Sequence, residues 1–262
     1  MNDTLESQRE AAVTKRVRGK MSLSCKNCNG EKYVKNGFVH GNQRYLCKDC
    51  GYRFTDTPGN GYPIDMRYNA AILYICGISI TCTAVLLGVA PSTVQSWLEW
   101  VAAEYPPEAP PHGTVVVIEL DEMWHFLNSK NEKLWIWKAI NHDTGELIDW
   151  ECGDRSEKTA ALLIDRLKKI GAKLYVADEY AVYANLIPIG KLYQGKDLTH
   201  GIERNNCRQR HWFARFHRRS IVVSKTKWMV DVTMALFARF RVNGTLRDLM
   251  RLVPLGRLVW AA

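Results

Sequence analysis

The sequence predicts an α/β protein in which a mixed-sheet domain follows two small modules. Two pairs of closely spaced cysteines mark the first module. A segment with helical periodicity marks the second, and it ends at a proline-rich stretch. The order β-β-β-α-β-α follows that stretch. We therefore divide the 262 residues into 1–20 (flexible N-terminal extension), 21–58 (cysteine module), 62–104 (three helices), 105–114 (Pro-rich linker), 115–243 (mixed-sheet domain) and 244–262 (tail without an assigned role).

The cysteine module contains two C-x₂-C motifs. Cys25 and Cys28 form the first and Cys47 and Cys50 the second, with 18 residues between the motifs. This spacing is typical of a four-cysteine zinc site, in which four thiolates surround the ion as a tetrahedron and a hairpin connects the two motifs. We therefore predict a structural Zn²⁺ on which the folding of residues 24–55 depends. Free or disulfide-paired cysteines are the alternative.

Three short helices are predicted between Ile64 and Val101. Gly88 falls in the second turn and Pro91 opens the third helix, which together indicate a helix-turn-helix. The outer face of the third helix offers hydroxyl and amide groups that suit phosphates and base edges. Simple packing between domains is the alternative, because residues 61–114 carry one basic and four acidic residues. The candidate DNA contacts on this helix are Ser92, Thr93, Gln95 and Ser96.

Positive charge is concentrated towards the carboxyl terminus. The chain has 36 Lys and Arg against 27 Asp and Glu, and the stretch from Arg204 to Lys227 contains eight basic residues and no acidic one. Such a field favours nucleic acid over an anionic membrane as the partner. No secretory signal is recognised, so we expect a cytoplasmic, reducing location near the nucleoid. The basic residues expected to bind the DNA backbone are Arg204, Arg208, Arg215, Arg218 and Arg219.

Three carboxylates are candidates for a metal centre. Asp121 and Asp178 follow the predicted strands 115–120 and 173–177, and Glu203 lies on a basic helix predicted from His200 to His217. Hard oxygen ligands suit Mg²⁺ and Mn²⁺, and two such ions can hold the attacking and leaving oxygens of a phosphodiester. Solvated surface acids remain the alternative in a chain with 27 carboxylates. Weaker candidates are the neighbouring Glu119, Glu122 and Glu179.

The residues around these carboxylates resemble transposases of the insertion sequence 1 type. The resemblance covers about 21–243 and is carried by the two cysteine motifs, the helix-turn-helix and three short segments: Glu119–Trp124, Ala177–Tyr180 and Ile202–Asn206 with the basic run after it. It implies a ribonuclease-H-like domain at 115–243 with a DDE triad of Asp121, Asp178 and Glu203, all three binding Mg²⁺ or Mn²⁺. By the same resemblance, Arg210 is an active-site residue that holds DNA phosphate beside the metals.

The resemblance also implies a function. The chain would bind the terminal inverted repeats of its own insertion element and perform two-metal, Mg-dependent strand cleavage and strand transfer. Its partners would be double-stranded DNA of the element ends and target, together with further copies of the chain in a homodimer or larger assembly, and no membrane. Two alternatives stay open. One is a zinc-ribbon and helix-turn-helix regulator with a non-catalytic C-terminal domain, and the other is a metal-dependent nuclease or resolvase of the same fold.

Overall fold

A three-stranded antiparallel sheet surrounds the cysteines. Its strands are β1 (Tyr33–Val39), β2 (Asn42–Cys47) and β3 (Arg53–Thr55), paired in that order. Three aromatic rings, those of Tyr33, Tyr45 and Phe54, contact one another with centroids 5.3–5.9 Å apart.

The structure is a computed structural model and describes residues 23–25, 28, 30–39, 42–55, 62–217 and 223–253, so the predicted extension 1–20 lies outside the described residues.

The chain divides into two compact units, Met1–Tyr62 and Pro63–Ala262. Three helices begin the second unit, as predicted: α1 (Ile64–Ile75), α2 (Ile80–Leu87) and α3 (Pro91–Glu104). The Ser79 hydroxyl caps α2 by accepting from the N–H of Cys82, and Gly88 ends α2 with a φ of 64°, a conformation that glycine adopts without strain. Apolar side chains of these helices share one core with residues 123–253. The domain boundaries at 62–104 and 105–114 stay predictions.

A five-stranded mixed sheet organises the rest of this unit. Its strand order is β6-β5-β4-β7-β8, with β4 antiparallel to β5 and parallel to β7. This arrangement confirms the predicted mixed-sheet, ribonuclease-H-like fold. The bounds are β4 (Val117–Leu127), β5 (Ser129–Asn141), β6 (Leu147–Gly153), β7 (Leu174–Ala177) and β8 (Leu192–Gln194).

The expectation that Asp121 lies at the end of the first strand is wrong. The β4–β5 hairpin continues to Leu127 and turns at Asn128, whose φ is 59°. Asp121 therefore lies in the middle of β4, opposite Lys138 of β5. The sequence suggested a shorter strand because Asp121 and Glu122 interrupt its apolar pattern.

Helices cover both faces of the sheet. On one face, α4 (Glu157–Lys168) and α5 (Ala181–Leu186) pack around Trp137. The other face carries α6 (His200–Trp212) and α7 (Lys227–Phe237). A π-helical turn, Ala238–Val242, leads to α8 (Leu246–Met250), whose fully buried Leu249 gives the described part of the 244–262 tail a packing role. The basic helix that was predicted to reach His217 ends at Trp212. No helix in the described part of the chain is long and apolar enough to cross a membrane.

Candidate active site

The four cysteines form the clearest candidate metal site. Their sulfur atoms all lie within 4.8 Å of one another, with Sγ–Sγ distances of 3.6 Å for Cys25–Cys50 and for Cys28–Cys47. Thiolates placed tetrahedrally at about 2.3 Å from zinc are about 3.8 Å apart, so this cluster has the size that zinc requires. Gly51 supports the second motif by donating its N–H to the carbonyl of Cys47, with a φ of 74°. The donor set and its geometry both fit Zn²⁺.

Strand register brings the two aspartates side by side. In the parallel pair, Val117 lies beside Leu174 and Glu119 beside Val176. Continued two residues further, the same offset would set Asp178, the residue after β7, level with Asp121, at about the 4.8 Å spacing of neighbouring strands. The alternation of a strand would then turn Asp178 to the face of the sheet that Asp121 shares with α6. The charge of Asp178 is among those that raise the pKa of Asp121, which agrees with this placement of two of the three predicted ligands.

The Asp121 carboxyl group lies in an environment that disfavours its ionised form. The pKa of Asp121 is raised to about 7, mainly by burial and also by the charges of Glu122 and Asp178, while the N–H of Glu122 and the charge of Lys138 act in the opposite direction. Its Oδ1 accepts from the N–H of Glu122 at 2.8 Å. Adjacent negative charges in a poorly hydrated site are relieved by a bound cation. The chemistry of these donors therefore fits Mg²⁺ or Mn²⁺.

Glu203 is exposed in the first turn of α6. The helical spacing of Glu203, Asn206 and Arg210 places them along one flank of α6. This flank of α6 faces Asp121 of β4, because Nδ2 of Asn206 donates to Oδ2 of Asp121 at 2.7 Å. The three predicted ligands are more widely spaced than the cysteines, which among the described residues form the only such group with ligand atoms within 4.8 Å.

Glu119, a weak candidate in the sequence, has a defined structural position. It is 1% exposed, and its carboxylate accepts from Nδ1 of His142 and from the N–H of Ile202, each at 2.7 Å. The second bond caps α6, because Thr199 at the N-cap position makes no side-chain cap. A β-carbon at Gly201 would lie 2.6 Å from Oε1 of Glu119, so this approach requires glycine. The spacing of Glu119 two residues before Asp121 was the available sequence signal.

We expect Glu119→Ala to lower the free energy of unfolding by about 3 kcal/mol, since two hydrogen bonds to a buried carboxylate are lost. Urea unfolding followed by circular dichroism measures this change. His142→Ala is the matched control, because it removes one of the two bonds and leaves the helix cap. A loss with Glu119→Ala no larger than that with His142→Ala would contradict the capping role.

Glu122 is directed to the opposite face of the sheet, as the alternation of a strand predicts. Its Oε1 accepts from Nη2 and Nε of Arg155 at 2.6 and 2.9 Å, and its Oε2 accepts from the hydroxyl of Tyr183 at 3.0 Å. The Arg155 guanidinium also lies 4.6 Å from the ring centroid of Trp135 and 4.3 Å from that of Tyr180. The positive charge of Arg155 therefore balances the negative charge of Glu122. No pattern in the sequence marks Arg155 as the partner of Glu122.

The residues proposed for DNA contact have different surroundings. Ser92 and Ser96 are exposed on α3, Thr93 is half-buried, and Gln95 donates to Glu99 at 2.9 Å. Their position on the outer face of α3 agrees with the helix-turn-helix geometry.

Three of the candidate arginines are described. Arg204 is exposed on α6, Arg208 donates to the carbonyl of Arg241 at 2.7 Å, and the guanidinium of Arg215 lies 5.4 Å from the ring centroid of Tyr74. Arg218 and Arg219 lie outside the described residues. DNA contact by all of these residues stays a prediction.

Comparison with known proteins gives the family. Residues 114–253, more than half of the chain, match the model of the IS1 transposase family. The chain belongs to the IS1 transposase family. It is a DNA transposase, and its reaction is phosphoryl transfer on DNA. Of its relatives, the InsB protein of insertion element iso-IS1n from Shigella dysenteriae is 32% identical over 111 residues, covering 42% of this chain and 85% of that protein.

A second relative and two solved structures are also similar to this IS1-family chain. The InsB protein of insertion element IS1 9 from Escherichia coli K12 is 27% identical over 123 residues, covering 47% of this chain and 73% of that protein. The catalytic core domain of BIV integrase is 15% identical with a TM-score of 0.34, covering 50% of this chain and 91% of that chain. The chain in the Mos1 strand transfer complex is 10% identical with a TM-score of 0.23, covering 76% of this chain and 80% of that chain.

Proposed function

We propose that Asp121, Asp178 and Glu203 form a DDE triad that holds two Mg²⁺ or Mn²⁺ ions and performs both strand cleavage and strand transfer. The observation that supports this proposal is the parallel pairing of β4 with β7 through Glu119 and Val176, which two residues further on would set Asp178 level with Asp121, the residue that Asn206 of α6 contacts. Divalent cations held by Asp121, Asp178 and Glu203 would supply positive charge to stabilise a reacting phosphodiester. Membership of the IS1 transposase family supports DNA as the substrate.

The protein groups around the triad orient its carboxylates. The N–H of Glu122 and Nδ2 of Asn206 fix the two oxygens of Asp121, and the N–H of Tyr180 donates to Oδ1 of Asp178 at 3.0 Å. A carboxylate offers about four lone-pair positions, so each aspartate keeps acceptor capacity for a metal ion. This preorganisation is the main contribution that a protein makes to in-line phosphoryl transfer.

Arg210 would hold a DNA phosphate beside the triad. It lies two turns after Glu203 on the same flank of α6. The pKa of Lys138 beneath this helix is lowered to about 7, mainly by burial, with the charge of Asp121 raising it and the nearby charge of Arg210 lowering it. A guanidinium suits the phosphate-binding role because its planar donors match two phosphate oxygens. Arg204, Arg208 and Arg215 would add affinity for the backbone.

The amino-terminal half of the chain would recognise the ends of the insertion element. The zinc-bound three-stranded sheet and the outer face of α3 would contact the terminal inverted repeats, with Ser92, Thr93, Gln95 and Ser96 at the groove. Joining two ends of one element requires two active sites, so the chain would act as a homodimer or a larger assembly on DNA. Zinc would have a structural role, and Mg²⁺ or Mn²⁺ would have the catalytic role.

The test is an assay with the purified, zinc-loaded chain, Mg²⁺ or Mn²⁺, labelled DNA carrying the repeats that flank the gene, and a target plasmid. We expect metal-dependent joined products from the wild type and none from Asp178→Asn. Asp165→Asn is the matched control, because that carboxylate is 69% exposed on α4 and its ion pair with Lys168 lies on the surface.

The products also separate the alternatives. Cleaved DNA without joined products would indicate a nuclease or resolvase of the same fold. Binding of the repeats by folded chain with no cleavage would indicate a regulator with a non-catalytic domain. Either outcome would contradict the proposal.

A further inference from the structure

A lysine is fully buried between the sheet and α6. Lys138 of β5 is 0% exposed and lies opposite Asp121 in the β4–β5 pair, so both side chains face α6. An ammonium group is costly to bury unless each of its three hydrogens has a partner. A lysine in this position therefore requires a specific set of acceptors.

Three amide side chains of α6 supply those acceptors. Nζ of Lys138 donates to Oδ1 of Asn205, and to Oδ1 of Asn206 and Oε1 of Gln209 at 2.9 Å each. All three amides are buried. The helical spacing of positions 205, 206 and 209 places them on one face, so the ammonium interacts with two successive turns of α6.

The lysine also determines which way each amide points. Because Nζ of Lys138 donates to all three amides, each amide turns its oxygen towards the lysine and its NH₂ group away from it. The NH₂ group of Asn206 then lies 2.7 Å from Oδ2 of Asp121 and donates to it, whereas that of Gln209 lies 2.9 Å from Sδ of Met234. With the Asn206 amide turned over, its oxygen would meet the carboxylate of Asp121 and its NH₂ group would meet the ammonium.

We propose that Lys138 is a positioning residue for DNA strand transfer, which acts through the Asn206 amide to orient the carboxylate of Asp121. The inference rests on the proposed function, in which Asp121 is a metal ligand. Lys138 is fully buried and its Nζ donates to the three amides, so it would act through them. Through the Asn206 amide, Lys138 fixes Oδ2 of Asp121, and the N–H of Glu122 fixes Oδ1. The remaining lone pairs of the carboxylate therefore keep one direction.

A purely structural role for Lys138 predicts a different outcome. A lysine that only fills space and anchors α6 could be replaced by an apolar side chain of similar volume with little loss, or even a gain, of stability. Metal affinity and catalysis would then follow the stability of the fold. A positioning role separates these properties, since loss of such a partner of a metal ligand lowers metal affinity or activity by about 10–100-fold in a chain that still folds.

The experiment compares variants of the full, zinc-loaded chain by Mn²⁺ binding, measured by electron paramagnetic resonance, and by strand transfer. Lys138→Met removes all three donors, and Asn206→Leu removes only the bond to Asp121 and one acceptor. Gln209→Met is the matched control, because it also removes one acceptor of Lys138 but has no contact with Asp121. Thermal unfolding of each variant reports whether it folds.

We expect Lys138→Met and Asn206→Leu to weaken Mn²⁺ binding and slow strand transfer by about 10–100-fold each. The double variant should lose little more than either single variant, because both changes break one chain of contacts. Gln209→Met should keep the affinity and the rate of the wild type. If Lys138→Met fails to fold, Asn206→Leu against Gln209→Met gives the same comparison.

Two results would overturn the inference. One is wild-type Mn²⁺ affinity and strand transfer in folded Lys138→Met or Asn206→Leu, which would leave the proposed function intact. The other is equal loss in Gln209→Met, which would assign the effect to packing of α6. If the wild type binds Mn²⁺ through Asp121 but joins no DNA, the proposed function fails, whereas the Mn²⁺ affinities of the variants still decide the role of Lys138.

Discussion

Glu203→Gln is expected to lower the rate of DNA strand transfer by about 10²–10³-fold or more, the range found when a single charge-stabilising group is removed from an active site. Glu203 is exposed on the first turn of α6, so the substitution should leave the melting temperature unchanged. Glutamine keeps the shape of the side chain but removes the charge that a divalent cation needs. Single-turnover strand transfer and differential scanning fluorimetry measure the two quantities.

Glu157→Gln is the matched control for this prediction. Glu157 is also an exposed glutamate in the first turn of a helix, and it accepts from Nδ2 of Asn185 at 2.8 Å, between α4 and α5 on the face of the sheet opposite α6. We expect wild-type strand transfer from this variant. Unchanged activity of Glu203→Gln, or equal losses in both variants, would remove Glu203 from the triad.

Loss of zinc is expected to unfold the amino-terminal unit and leave the second unit folded. Among the described residues of this unit, the core consists of Cys25, Cys47, Phe54 and a few half-buried side chains, which is too small to be stable without metal. Structural zinc contributes an apparent binding free energy of about 10–16 kcal/mol in small zinc domains. Cys28→Ser should therefore lose the ion and the dispersed amide signals of residues 23–55 in a ¹⁵N correlation spectrum, while signals from residues 63–253 persist.

Cys82→Ser controls for the general effect of losing a thiol. Cys82 is exposed on α2 and lies outside the cysteine cluster. This variant should keep one zinc per chain and all the signals. Retention of zinc and of dispersed signals by Cys28→Ser would show that the four cysteines do not form the metal site.

Local patterns in the sequence were enough to predict several features. The cysteine spacing predicted the cluster because each motif places two sulfur atoms within a few residues, and Gly88 and Pro91 marked helix ends through backbone preferences that act locally. The order of strands and helices predicted the mixed sheet. These features involve residues close together in the chain.

The contacts around the triad could not be predicted in this way. Lys138 lies 67 residues before Asn205, and Glu119 lies 83 residues before Ile202, so neither contact leaves a local pattern. A lysine in a strand is ordinarily expected to be exposed, and its burial depends on the three amides that α6 presents. Glu122 is similar, because its partner Arg155 comes from the loop after β6. The residue identities were visible in the sequence, but their pairing depends on the packed sheet.

The most direct test of the DDE centre is a crystal structure of the zinc-loaded chain with Mn²⁺, using anomalous diffraction at the manganese and zinc edges. We expect zinc at the four cysteines and manganese within about 2–2.5 Å of carboxylate oxygens of Asp121, Asp178 and Glu203. Manganese bound elsewhere, with no ion on Asp121 and Glu203 at saturating concentration, would contradict it.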